Sequence, residues 1–130
     1  MDTGQNKRLR LPARMRLRSG TDFKRIKLEG RRVATGCLVL NWVHPGPAGY
    51  TRFAVVAGNK LGSAVVRNRA RRLLREAFRL HQHELAAPVD LLLVARPSIV
   101  GKKCPEVERD LLAALSKAGL LKTNLAAGLS

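Results

Sequence analysis

A chain of 130 residues with 25 Lys and Arg against nine Asp and Glu carries a net charge of +16, and its length suits one domain. Self-repulsion on that scale costs stability unless a polyanion relieves it, so nucleic acid or an anionic membrane is the implied partner. No apolar run nears the roughly 20 residues of a membrane span, the N-terminal basic stretch leads into no apolar segment of a signal peptide, and Cys37 and Cys104 form no CxxC pair and read as packing residues of a reduced, cytosolic protein.

Residues 1–16 form a basic arm in which Lys7, Arg8, Arg10, Arg14 and Arg16 lead on to Arg18. Its composition fits either a solvated tail or a segment that orders along a phosphate backbone. The domain proper is expected over 17–119. SGTDFKRIKLEG predicts a first helix, with Ser19 or Thr21 as N-cap, Asp22 in the first turn and Gly30 as terminator. Phe23 and Ile26 share a face, whereas Lys24, Arg25 and Lys27 are exposed. Phe23 is therefore either a core residue or a stacking surface for an unpaired base. Residues 33–43, rich in β-branched and apolar side chains, read as one strand, HPGPAG at 44–49 as a hairpin loop, and 50–57 as the partner strand. A short third strand is expected near 59–61, and Gly58 and Gly62 allow a tight turn that brings Lys60 to the start of the next helix.

That helix is predicted from Ser63, its N-cap, to about Glu84. Between Gly62 and Arg79 it carries six arginines, no lysine and one acid, Glu76. Val66, Ala70, Leu73, Leu74, Ala77 and Phe78 recur at helical spacing and face a core, while Asn68, Arg71, Arg72, Arg75 and Arg79 fan out on the other side. Arg67 and Arg69 flank the apolar stripe and are placed to brace the turn at Lys60. Arginine chosen over lysine favours bidentate phosphate contacts, which points to nucleic acid without choosing between DNA and RNA. The continuously apolar DLLLVA at 90–95 predicts an interior strand. Pro105 at N1 and the acids Glu106, Glu108 and Asp110 open a last helix with a stripe of Val107, Leu111, Ala114 and Leu115, stopped by Gly119 and serving as scaffold. Residues 120–130 form a tail without a strong signal. The element order gives an α+β fold, an α/β sandwich of one small mixed sheet packed by helices.

Nothing in the chain resembles self-contained catalytic machinery. The acids are scattered, His81 and His83 are two apart and point in opposed directions on a helix, and no Walker, GxGxxG or GxSxG motif occurs. The chain itself is expected to hold no metal and no cofactor.

NKLGSAVVRNRARRLLREAFR closely resembles the RNR signature of the bacterial ribonuclease P protein subunit, and RLRSGTDFKRIKLEGRRVA, RFAVVAGNKLG and DLLLVARP resemble that family's other segments in order. The resemblance implies that the arginine helix joins two strands by a left-handed crossover. It also implies a protein that binds a catalytic RNA through this helix and its turn, with Lys60, Arg67, Asn68, Arg69, Arg71, Arg72 and Arg75 as contacts. The single-stranded 5′ leader of precursor tRNA would lie in a cleft near Phe23, with Lys27, Asn41, Trp42, Arg16 and Arg18 as further contacts. Phe23 matches the family's first cleft aromatic, whereas Lys27 and Asn41 stand where further aromatics are common, so leader binding is expected to lean on charge. Cleavage of the phosphodiester bond would be the work of the RNA and its magnesium ions, in the cytoplasm, with no obligate protein partner. A ribosomal or other structural RNA-binding protein shares the charge but not the four matching segments; a DNA-binding regulator would want a helix-turn-helix pair, and an autonomous nuclease would be active without RNA.

Overall fold

The computed structural model describes residues 15–17, 20–43 and 49–122. Ten residues form α1 (Gly20–Glu29), and they are followed by β1 (Arg31–Thr35), β2 (Leu38–Val43) and β3 (Arg52–Val56). The arginine helix is α2 (Ala64–His81), β4 (Asp90–Ala95) follows it, and α3 (Cys104–Ala118) closes the fold. The sheet order is β1-β2-β4-β3. β1, β2 and β4 pair antiparallel, while β3 and β4 run parallel, so α2 is a crossover between neighbouring parallel strands.

Alternation along β4 produces three layers. Leu91 and Leu93 enter the main core with Leu38, Leu40 and Phe53 from the sheet, Leu74, Ala77 and Phe78 from α2, and Val107, Leu111 and Leu115 from α3. Leu92 points the other way, into a smaller core with Ile26 of α1 and Leu17. A strand covered on both faces favours apolar side chains at successive positions, which is why the run from Leu91 to Ala95 is continuous. In the main core Phe53 and Phe78 stack with ring centroids 4.6 Å apart and planes tilted by 30°.

Several expectations change. Residues 33–43 are two strands rather than one, broken at Gly36-Cys37, because Gly36 takes φ +57 and the Cys37 amide donates to Asp110 Oδ2 of α3 at 3.0 Å. The segment 50–57 contains β3 but does not pair with β2. The apolar β4 takes the interior place between them, so the hairpin pairing gives way to a parallel one. No strand forms at 59–61; Asn59–Leu61 is a 3-10 turn between two glycines. Thr21 lies inside α1 rather than capping it, and Ser19 is outside the described residues. The α2 helix ends at His81, with Gln82–Glu84 tightening into a 3-10 turn, and Pro105 is at N2 because α3 starts at Cys104. Of the predicted loop at 44–49, residues 44–48 lie outside the described residues. At the start of the expected tail, Ala86 donates to the Leu120 carbonyl at 2.8 Å and Leu121 is buried beside Leu85.

The Ser63 cap and the Gly119 stop hold as read. Ser63 Oγ accepts from the Val66 amide at 3.4 Å, and Gly119 has φ 75. The end of α2 is tied to α3 through His81, whose Nδ1 lies 2.5 Å from Glu84 and Nε2 2.8 Å from Glu108. Burial alone would lower the His81 pKa, but the hydrogen bonds to the two carboxylates outweigh it and push it up.

Candidate nucleic-acid interface

The interface begins in the turn before α2. Backbone bonds from Leu61 to Gly58 and from Gly62 to Asn59, both 3.2 Å, close the turn and leave Lys60 exposed beside the helix start. Arg67 reaches back and donates to Asn59 Oδ1 at 2.8 Å, so this arginine does brace the turn. Arg69 does not. It donates to the Lys102 carbonyl at 2.8 Å and ties α2 to the loop before α3.

Further along, the arginines sort by what neutralises them. Arg79 is held bidentately by Glu76, with bonds of 3.0 and 2.6 Å, and this pairing raises the arginine's pKa and lowers the acid's. Arg71 lies against Asn68, whose Oδ1 accepts from it at 2.5 Å, and against the Ala57 carbonyl at 3.5 Å. Arg72 is exposed. Arg71, Arg72 and Arg75 meet no carboxylate among the described residues.

Arg75 lines a cavity of about 230 Å³ at the sheet edge, together with Arg16, Leu17, Phe23, Phe53, Ala54 and Val55. Arg16 and Leu17 arrive there by pairing with β3, where the Leu17 amide donates to the Phe53 carbonyl at 2.9 Å. Burial, and then the positive charges of Arg16 and Arg71, push the Arg75 pKa down. A cation made unfavourable by other cations is made favourable by an anion placed among them. The expected leader contacts Phe23 and Arg16 and the expected catalytic-RNA contact Arg75 therefore share one cavity.

A second cavity, of about 330 Å³, lies at the face that α1 covers, lined by Lys27, Arg32, Val39, Asn41 and Val94. Lys27 and Asn41, which stand in place of aromatics, meet here with a further cation, Arg32, that the sequence reading did not single out. Trp42 does not join them. Side chains alternate along β2, so Trp42 turns to the opposite face and packs against the main core. Its carbonyl lies so close to Gly30 that a Cβ there would be 2.4 Å from it. Arg18 is outside the described residues.

Charge also pins α1 to the sheet. Asp90, wholly buried at the start of β4, accepts hydrogen bonds from Arg25 of α1 and from Arg52 of β3, the latter through Nη2 at 2.9 Å and Nε at 3.3 Å. Arg52 also lies 3.6 Å from Asp22. The hydrogen bond to Asp90, opposed by burial and aided by the charge of Asp90 and Asp22, raises the Arg52 pKa. DLLLVA reads as an apolar run despite opening on Asp90, and that carboxylate was the available signal, because a lone acid at a buried position needs a cation. Among the described residues no group of three or more His, Cys, Asp and Glu side chains can hold a metal ion, and no helix is long and apolar enough to cross a membrane.

Comparison with known proteins gives one consistent match. The profile of the family described as Ribonuclease P matches residues 11–119. The Ribonuclease P protein component of Chloroflexus aggregans is 38% identical over 109 residues, covering 83% of this chain and 80% of that protein. That of Symbiobacterium thermophilum is 36% identical over 107 residues, covering 82% and 93%. Among solved structures, the Staphylococcus aureus RNase P protein superposes with a TM-score of 0.75 at 26% identity, covering 83% of this chain and 98% of that one. The Thermotoga maritima protein gives 0.70 at 27%, covering 78% and 96%.

Proposed function

The chain belongs to the ribonuclease P protein family and serves tRNA 5′ processing, and on that premise we propose that it holds a catalytic RNA on α2 and the 5′ leader of precursor tRNA along α1. The observation that carries the reading is the cavity that Arg16 and Arg75 line together with Phe23, near Arg71, with no carboxylate lining it among the described residues. Guanidinium groups bind phosphates bidentately and release counterions, and an aromatic face stacks an unpaired base. A single strand offers both partners at once.

In this reading Lys60, Asn68, Arg71 and Arg72 contact the catalytic RNA. Arg67 and Arg69 hold the turn and the α2–α3 packing in place and offer their remaining donors to it. Arg75 sits at the boundary and serves both RNAs. The leader passes from Phe23 and Arg16 toward Lys27, Arg32 and Asn41, where charge and hydrogen bonding stand in for stacking. The protein supplies binding and orientation, and hydrolysis belongs to the RNA with its magnesium ions; among the described residues no three His, Cys, Asp or Glu side chains group to hold a metal ion. The complex acts in the cytoplasm.

A photo-crosslinker placed at successive leader nucleotides tests this arrangement. Peptides containing Phe23 and Lys27 are expected to be labelled. Labelling confined to α3 would overturn the cleft assignment.

A further inference from the structure

Two arginines of α1 and β3 are engaged by acids. Arg25 stands midway between Phe23 and Lys27 in the sequence of α1, and Arg52 belongs to the strand beneath it. Both converge on Asp90, which is wholly buried, and Arg52 also approaches Asp22 at 3.6 Å. Two arginines and two aspartates thus cancel within one network. The arginine side chains remain 24% and 18% exposed, so each can reach solvent once its acid partner is gone.

Resting on the cleft reading above, we propose that Asp90 is a positioning and selectivity residue for the leader. By holding Arg25 against Arg52 it fixes the height and rotation of α1 over the sheet, which places Phe23 and Lys27 at their two cavities. By the same bonds it withholds two cations from phosphates, so that single-stranded RNA is gripped at the arginines around Arg75, which meet no carboxylate among the described residues, and not by Arg25 and Arg52 wherever a phosphate passes α1. Charge inside such a pair contributes to specificity and register rather than to raw affinity.

The test uses the full chain assembled with its catalytic RNA. Affinity is measured for a precursor tRNA with a long leader and for one with a single-nucleotide leader, and the salt slope of the protein is measured on an unrelated single-stranded RNA. Asp90→Asn is expected to cut the long-to-short ratio by about tenfold and to steepen the salt slope by about 0.7 for each freed arginine. Arg25→Gln leaves Asp90 paired with Arg52, so it folds, cuts the ratio in the same direction and does not steepen the slope. A clamp that merely stabilised the fold would lower the melting temperature and weaken both precursors equally, leaving ratio and slope where they were. A wild-type protein that discriminates between leaders and an Arg25→Gln protein that discriminates just as well overturn the proposal alone. A wild-type protein indifferent to leader length overturns the cleft reading and the proposal with it.

Discussion

Replacing Arg75 by alanine separates its two roles, in the free protein and in the complex. In the free protein Arg75 is exposed, its guanidinium is disfavoured as a cation by partial desolvation and by Arg16 and Arg71, and it makes no ion pair among the described residues. Its loss removes repulsion, so the melting temperature should stay level or rise. In the RNA complex the same change deletes one phosphate contact. Each contact contributes about 0.7 to 0.9 to the slope of log affinity against log salt. Between 50 and 200 mM salt the wild-type protein should therefore lose about threefold more affinity than Arg75→Ala does. Arg79→Ala is the control on the same helix. Its guanidinium is already held by Glu76, so the slope should not move, and the lost i,i+3 pair should cost about 0.3–0.5 kcal/mol. Fluorescence titration at several salt concentrations gives the slopes, and thermal melts give the stabilities. Equal slope changes for the two variants, or a marked drop in the melting temperature of Arg75→Ala, would refute the reasoning.

Leu74 is fully buried beneath α2, so Leu74→Ala should cost about 2–5 kcal/mol in a denaturant melt, whereas Leu73→Ala, at a partly buried site, should cost less. His81 has a raised pKa in the folded state, so its ion pairs contribute fully below the unfolded value of about 6.5 and fade as pH rises through the folded one. The stability gap between wild type and His81→Gln should accordingly shrink from mildly acidic to alkaline pH, and a gap that widens would contradict it. Burial and the Asp110 carboxylate push the Cys37 thiol up to about 12, so native-state alkylation near neutral pH should label the part-exposed Cys104 first by mass spectrometry.

How much of this was legible in the sequence differs from element to element. The arginine helix was readable because two local rules agreed: apolar residues at 3.6-residue spacing and a serine at the N-cap. The interior place of 90–95 followed from its unbroken apolar run. The sheet order did not follow, since periodicity says which face a residue takes but not which strand lies beside it. The turn at Gly36-Cys37 was hidden for a related reason: its fixing partner, Asp110, is 73 residues away. In the site, outward residues such as Arg72 were legible from the helix alone, whereas the fates of Arg69, Arg75 and Asp90 depend on Lys102, Arg16 and Arg25, which only the tertiary fold brings near. Trp42 follows Asn41 in β2, and in a strand one residue is a change of face, so adjacency in sequence did not place the two side chains together.

Reconstitution separates a protein that assists a catalytic RNA from one that cleaves by itself. Precursor tRNA is incubated at low magnesium with the catalytic RNA alone, with this protein alone, and with both, and release of the 5′ leader is followed on a gel. No cleavage is expected from the protein alone, slow cleavage from the RNA, and rapid cleavage at the mature 5′ end from the two together. Cleavage by the protein alone, or an RNA reaction that the protein leaves unchanged, would contradict the assisting role.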